Sequence, residues 1–202
     1  GGGAREAGRG RQARPRSQKG RDIEHEVELT LEEAYHGATR RVSIKQGGHA
    51  RSVDVRIPAG IDTGMRLKMN GYGDAGPPGC PPGDLYVDIE VRPHSTFKRE
   101  GDDVYLELPI TFPEAALGCK KEVPTPLGET CRVSIPEGTQ TGKLLRVSGK
   151  GFPNVHSKGT GDLLVRVLVE TPVKLSEKQK ELLRSFEELE SPVAASPGDR
   201  PA

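Results

Sequence analysis

From Ile23 onward, apolar and polar residues alternate. Val27, Leu29 and Leu31 take one side, and Glu26, Glu28, Thr30 and Glu32 the other; this is the period-two pattern of a strand with one wet face. The alternation returns over residues 40–45 and 53–57, which are separated by Gln46-Gly47-Gly48-His49, and Pro58 stops it. Residues 67–69 and 85–91 complete a first set of strands, and residues 104–110, 120–123, 130–135, 144–147 and 163–169 offer a second. Between the first two strands of each set, residues 31–35 and 112–117 favour one helical turn, ended by Gly37 and Gly118. After Pro172 the period becomes helical. Ser176 opens a capping box with Gln179, and Leu182, Leu183, Phe186 and Leu189 form one apolar stripe.

The two sets are copies. Ile57-Pro58-Ala59-Gly60-Ile61-Asp62-Thr63-Gly64 returns as Ile135-Pro136-Glu137-Gly138-Thr139-Gln140-Thr141-Gly142, and Gly83-Asp84-Leu85 returns as Gly161-Asp162-Leu163, both shifted by 78 positions. Glu33-Ala34-Tyr35-His36-Gly37 matches Glu114-Ala115-Ala116-Leu117-Gly118 at a shift of 81. A period near 80 suits one small domain per copy rather than a solenoid unit. The expected fold is therefore all-β: two tandem small β-sandwich lobes of duplicated topology, each with a short helix, followed by a C-terminal α-helix. The expected boundaries are a Gly/Arg-rich disordered linker over 1–21, lobe one over 22–93, lobe two over 94–173, the helix over 174–190 and a disordered tail over 191–202.

Composition refines this picture. With no Trp, four Phe and four Tyr, the cores must be aliphatic. Residues 1–21 lack Leu, Ile, Val and Phe and hold seven basic residues against Glu6. That net of +6 leaves −5 for the remainder of a chain whose formal charge is +1, so any pull toward polyanions is confined to a segment that reads as a solvated tether. Cys80, Cys119 and Cys131 are odd in number and show no CxxC spacing, and the five histidines form no ligand pair. Neither a disulfide framework nor a metal site is legible, no cofactor is expected, and a reducing cytoplasm is the default location. No apolar run approaches the roughly 18 residues of a membrane span. Gly71-Tyr72-Gly73-Asp74-Ala75-Gly76 fits a GxGxxG string, but the Pro-rich residues 77–83 that follow cannot supply the helix a dinucleotide site requires. The acidic residues sit on the polar sides of strands, so no catalytic group is assigned and no enzyme is expected. The apolar stripe of the last helix needs cover, either from lobe two or from its twin in a second copy of the chain.

Several motifs in order carry a family resemblance. They are residues 28–34 (ELTLEEA), 57–61 (IPAGI), 94–103 (HSTFKREGDD) and 138–142 (GTQTG). Over residues 22 to about 190 the chain resembles the C-terminal substrate-binding region of DnaJ co-chaperones. The zinc-binding insertion of one class would fall between Ile44 and Val53, where only residues 45–52 stand, so the chain resembles the zinc-free class; the J domain and its His-Pro-Asp signature are absent. The resemblance implies a co-chaperone that binds unfolded or non-native polypeptide in a shallow apolar groove of lobe one and delivers it to a DnaK-type ATPase chaperone, whose acidic C-terminal tail binds the same lobe. Carried over by position, the groove lining is His25, Val27, Leu29, Arg40, Val42, Ile44 and Val87. The stripe Leu182, Leu183, Phe186 and Leu189 becomes the dimerisation surface of a homodimer. The alternative from another class is a DNA-binding module that makes a weak nucleic-acid contact through residues 1–21.

Overall fold

A computed structural model of the protein describes residues 18–190. Residues 1–17 of the expected tether and the expected tail over 191–202 lie outside the described residues. The architecture is all-β, as expected, with three short helices among the described residues. The first copy runs β1 (Ile23–Leu29), α1 (Leu31–His36), β2 (Ala38–Gln46), β3 (His49–Ile57), β4 (Arg66–Met69) and β5 (Leu85–Val91). The second runs β6 (Phe97–Glu100), β7 (Asp103–Thr111), α2 (Phe112–Leu117), β8 (Cys119–Pro124), β9 (Thr130–Ile135), β10 (Leu144–Val147) and β11 (Leu163–Glu170), and α3 (Glu177–Leu189) follows. Strand β6 is an addition to the sequence reading: four residues with Phe97 as the only apolar side chain give no alternation, yet they pair with β7 across the Gly101-Asp102 turn.

In the first copy, β1 and β4 flank β5, β1 running parallel and β4 antiparallel to it, while β2 and β3 form a separate hairpin. The second copy repeats this with the sheet order β10-β11-β7-β6 and the pair β8-β9. By packing, the chain separates into two compact units. Of the described residues, one takes those up to Leu106 with Pro124–Cys131 and Arg146–Leu164; the other takes Glu107–Val123, Arg132–Leu145 and those from Val165 on. The buried side chains of the first include Leu29, Val55, Ile57, Ile61, Leu85, Val87 and Phe152. In the second, Ile110, Ala115, Ile135 and Val167 cluster, with Leu108, Cys119, Leu145 and Val169 against them.

The duplication extends to individual hydrogen bonds. Thr30 and Thr111 each cap a helix through a capping box closed by Glu33 and Glu114, which satisfies backbone N–H groups that a six-residue helix leaves unpaired. Each helix ends on a glycine with positive φ, 79° at Gly37 and 77° at Gly118. A side chain there is excluded twice over, since a Cβ would lie 2.8 Å from Ile57 O in one copy and 3.0 Å from Ile135 O in the other. The amides of Gly64 and Gly142 donate to Ile89 O and Val167 O, and those of Gly71 and Gly149 to the carboxylates of Asp84 and Asp162.

The start of the first copy also differs from the sequence reading. Lys19 Nζ donates to Asp84 at 2.7 Å, Gly20 N to Pro81 O at 3.0 Å, and Arg21 O accepts from Asp74 N at 2.8 Å. The last residues assigned to the tether are therefore bonded along the Gly71 to Asp84 loop. Gly20 permits this approach, because a Cβ there would lie 2.0 Å from Asp74 O.

Candidate functional site

Strand alternation sorts the expected groove residues onto two inner faces. On β1, His25, Val27 and Leu29 point to one side and Glu24, Glu26 and Glu28 to the other, the acidic row being exposed. The parallel register sets His25 beside Val87 and Val27 beside Ile89. On β2, Arg40, Val42 and Ile44 share the inner face with Val53, Val55 and Ile57 of β3, while Thr39, Arg41, Ser43 and Lys45 face solvent. The aliphatic members are sealed: Leu29 and Val87 are 0% exposed, Val42 2%, Ile44 4% and Val27 8%. They form the apolar interior beneath the strands, not side chains lining an open trench. His25 and Arg40 remain half-buried. Arg40 is ion-paired with Glu33, and its Nε is buried without an acceptor.

What the first copy leaves open is backbone. Among the described residues, β1 and β4 each have one strand neighbour, β5, and β2 and β3 have only each other. The hairpin closes through Gly47 and Gly48, with φ of 60° and 79°, and Gln46 opposite His49. A two-residue turn of this kind makes its flanking pair hydrogen-bonded, and an antiparallel ladder then alternates. Arg40, Val42, Ile44 and Gln46 thus spend their N–H and C=O groups on β3, whereas those of Thr39, Arg41, Ser43 and Lys45 point to the free edge. Sequence reasoning named the residues of the floor and missed this row of donors and acceptors. The Gly47-Gly48 pair was the signal for it, because it fixes the register from which the bonding parity follows.

The hairpin is also basic. It carries Arg40, Arg41, Lys45, Arg51 and Arg56 against Asp54 alone, and Arg41 and Asp54 pair at 3.2 Å across the strands. The β1 edge is acidic.

On α3 the apolar stripe is partly covered. Leu183 is half-buried, whereas Leu182, Phe186 and Leu189 are 58%, 48% and 86% exposed. Leu182 and Leu183 line an apolar recess of about 520 Å³ with Phe112, Pro113, Pro172, Val173 and Leu175. Phe186 meets the Phe112 ring edge-on with centroids 6.3 Å apart.

Among the described residues no three His, Cys, Asp or Glu side chains gather as metal ligands. No helix among them is long and apolar enough to cross a membrane. The GxGxxG string lies in a loop closed by Gly73 N to Gly83 O and Gly83 N to Asp74 O, and β5 follows that loop.

The family model described as DnaJ C terminal domain matches residues 23–172. The chaperone protein DnaJ of Protochlamydia amoebophila is 63% identical over 150 residues, which are 74% of this chain and 38% of the relative. That of Chlamydia felis is 65% identical over 141 residues, 69% of this chain and 36% of the relative. That of Chlamydia trachomatis serovar L2 is 68% identical over 137 residues, 67% and 35% of the two lengths. The chain thus spans a little over a third of the curated relatives it matches.

Proposed function

The chain belongs to the DnaJ C-terminal domain family, and on that premise we propose that its first copy, residues 22–93, is a client-binding lobe that takes extended non-native polypeptide by strand addition at the outer edge of β2. The observation that carries this reading is the unpaired row of backbone groups on Thr39, Arg41, Ser43 and Lys45 above a sealed apolar interior. A client strand there satisfies its own backbone without regard to sequence, and alternate side chains fall toward the rim of the apolar face near Arg40. The family is one of non-enzymatic co-chaperones, and binding of this kind makes or breaks no covalent bond.

Magnitudes favour reversible capture. Burying two client aliphatics contributes roughly 3 to 6 kcal/mol and each net hydrogen bond about 0.5 to 1.5, against an ordering cost of about 2 to 5. One site is therefore micromolar or weaker, which suits transfer to a DnaK-type ATPase chaperone. The basic hairpin, with Arg40 and Arg41 on its edge strand, supports contact with that partner's acidic tail at the same lobe. The second copy, residues 94–173, carries α3, whose exposed Leu182, Phe186 and Leu189 pair two chains as a homodimer. Two sites on one client then raise affinity by about 10² to 10⁴. The direct Gly47-Gly48 turn between β2 and β3 supports the zinc-free class, and a cytoplasmic setting accords with three unpaired cysteines among the described residues.

The test is backbone amide NMR of the chain titrated with a ten-residue apolar peptide held extended by alternating Val and Thr. The expected result is shift changes at Arg41, Ser43 and Lys45. Saturable binding that leaves those three amides unmoved overturns the site. Duplex affinity measured with and without residues 1–21 decides the DNA-binding alternative: the rest of the chain carries −5, so salt-sensitive affinity that is present with the basic segment and lost without it would favour that alternative, and no affinity in either form would end it.

A further inference from the structure

Where two copies of one fold keep the same backbone bonds, side chains that differ between them report on something other than folding. The Ile-Pro-x-Gly turns are such a place. Gly60 N donates to Ala34 O and Gly138 N to Ala115 O, so the turns dock alike on their own helices. Their surroundings then diverge. A Cβ on Gly138 meets nothing within 4 Å, whereas a Cβ on Gly60 would lie 2.1 Å from Pro153 O. Tyr35 stands where the second copy has Ala116, and Phe152 stands where the first has Asp74. Phe152 is fully buried, and its ring meets that of Tyr35 at 65° with centroids 5.2 Å apart.

Arg99 closes this cluster. Its side chain is 7% exposed, an uncommon state for a charge, and all its partners lie in the same compact unit. Nη1 donates to Ile61 O at 2.5 Å, Nη2 to Gly60 O at 2.7 Å and Nε to Gly101 O at 2.7 Å. The guanidinium carbon sits 3.9 Å from the centroid of the Phe152 ring. Burial works against the charge, and Asp62 and Asp102 offset it. One rigid planar fork thus ties two carbonyls of the first copy to one of the second, with an aromatic face beneath it. An ammonium cannot reproduce that geometry. Separating the parts would strand a buried guanidinium and carbonyls at buried Gly60 and Ile61, so the joint holds as a unit or fails as a unit.

We infer that Arg99 is a positioning residue that pins the Gly60 to Asp62 turn of the first copy on the Phe152 to Asn154 turn of the second, holding the β2 edge on a stiff arm. The consequence rests on the client-binding reading above: stiffness sets the effective concentration of one site for a client already held at another.

The test uses the full chain with its three cysteines replaced by serine, spin labels at Ser52→Cys and Lys158→Cys, and dilution with unlabelled chain. Ser52 and Lys158 are both exposed and lie in the same compact unit. With Arg99→Gln the label-to-label distance distribution broadens. Affinity for the ten-residue peptide, which fills one site, stays within about twofold, while affinity for a long unfolded client falls about tenfold. Arg99→Lys does not restore either property. Phe152→Leu, which keeps apolar volume and removes the aromatic face, shifts both in the same direction and carries the test if Arg99→Gln fails to fold. A distribution as narrow as that of the parent in both variants overturns the joint. Equal weakening of short and long clients overturns the positioning role. If no client binds even the parent chain, the client reading fails and takes the affinity consequence with it, while the label distances still decide the joint.

Discussion

Replacing Ser43 by proline separates the free edge from the fold. Ser43 is exposed and stands opposite Ser52, and the parity set by the Gly47-Gly48 turn directs its N–H away from β3. Proline at such a position removes no ladder bond, and edge strands tolerate it, so the cost to stability should stay near 1 kcal/mol, the strain of fixing φ. Binding loses one backbone hydrogen bond and meets the ring where the client strand must approach, about 1 to 2 kcal/mol together, which is roughly 5- to 30-fold in affinity. Ser52→Pro is the matched control, because its N–H points to the outer edge of β3 by the same parity. Peptide affinity by fluorescence anisotropy, with urea unfolding of each variant, should show Ser43→Pro weakened and Ser52→Pro unchanged at similar stability. Equal affinities for the two variants refute strand addition at β2. An aspartate at Val42 or Ile44 makes a poorer probe: at 2% and 4% exposure a buried carboxylate unfolds the lobe before it reports on binding.

Two further outcomes follow. Asp84 is held at about 2 instead of its ordinary 3.8, first by the hydrogen bond from Lys19 and then by the Gly71 amide; because the folded state favours the carboxylate, its contribution is full above 3.8 and is lost as pH falls through about 2. Unfolding midpoints between those limits should drop less steeply for Asp84→Asn than for the parent, and parallel curves would remove the claim. On α3, Leu182→Asp with Phe186→Asp should halve the solution mass measured by light scattering while leaving the lobes folded, since neither side chain is buried; a parent chain that is already monomeric ends the dimer proposal.

The strands were legible because one wet face and one dry face force alternation, and the turns because glycine and proline interrupt it. β6 escaped because a four-residue strand with only Phe97 apolar writes no period. The bonded start of the first copy was legible in principle: at a shift of 81, Gly20 matches Gly101 and Asp22 matches Asp103, and the Asp22 and Asp103 carboxylates accept from the amides of Asp84 and Asp162. Polar composition alone argued for a tether, and backbone bonds to a neighbouring loop outweighed it.

The candidate site divides along the same line. Alternation places Arg40, Val42 and Ile44 on one face, but an apolar face reads identically whether a second sheet covers it or a client does. Coverage is a tertiary property, and here the protein's own side chains provide it. On the proposed reading, what a client meets along β2 is a row of amides and carbonyls that no side-chain pattern writes, positioned by two glycines at the end of the hairpin. A surface that presents peptide groups in this way recognises what all unfolded chains share. On that reading, selectivity comes from the charges and half-buried groups along the strand itself: exposed Arg41 and Lys45, and Arg40 half-buried on the inner face.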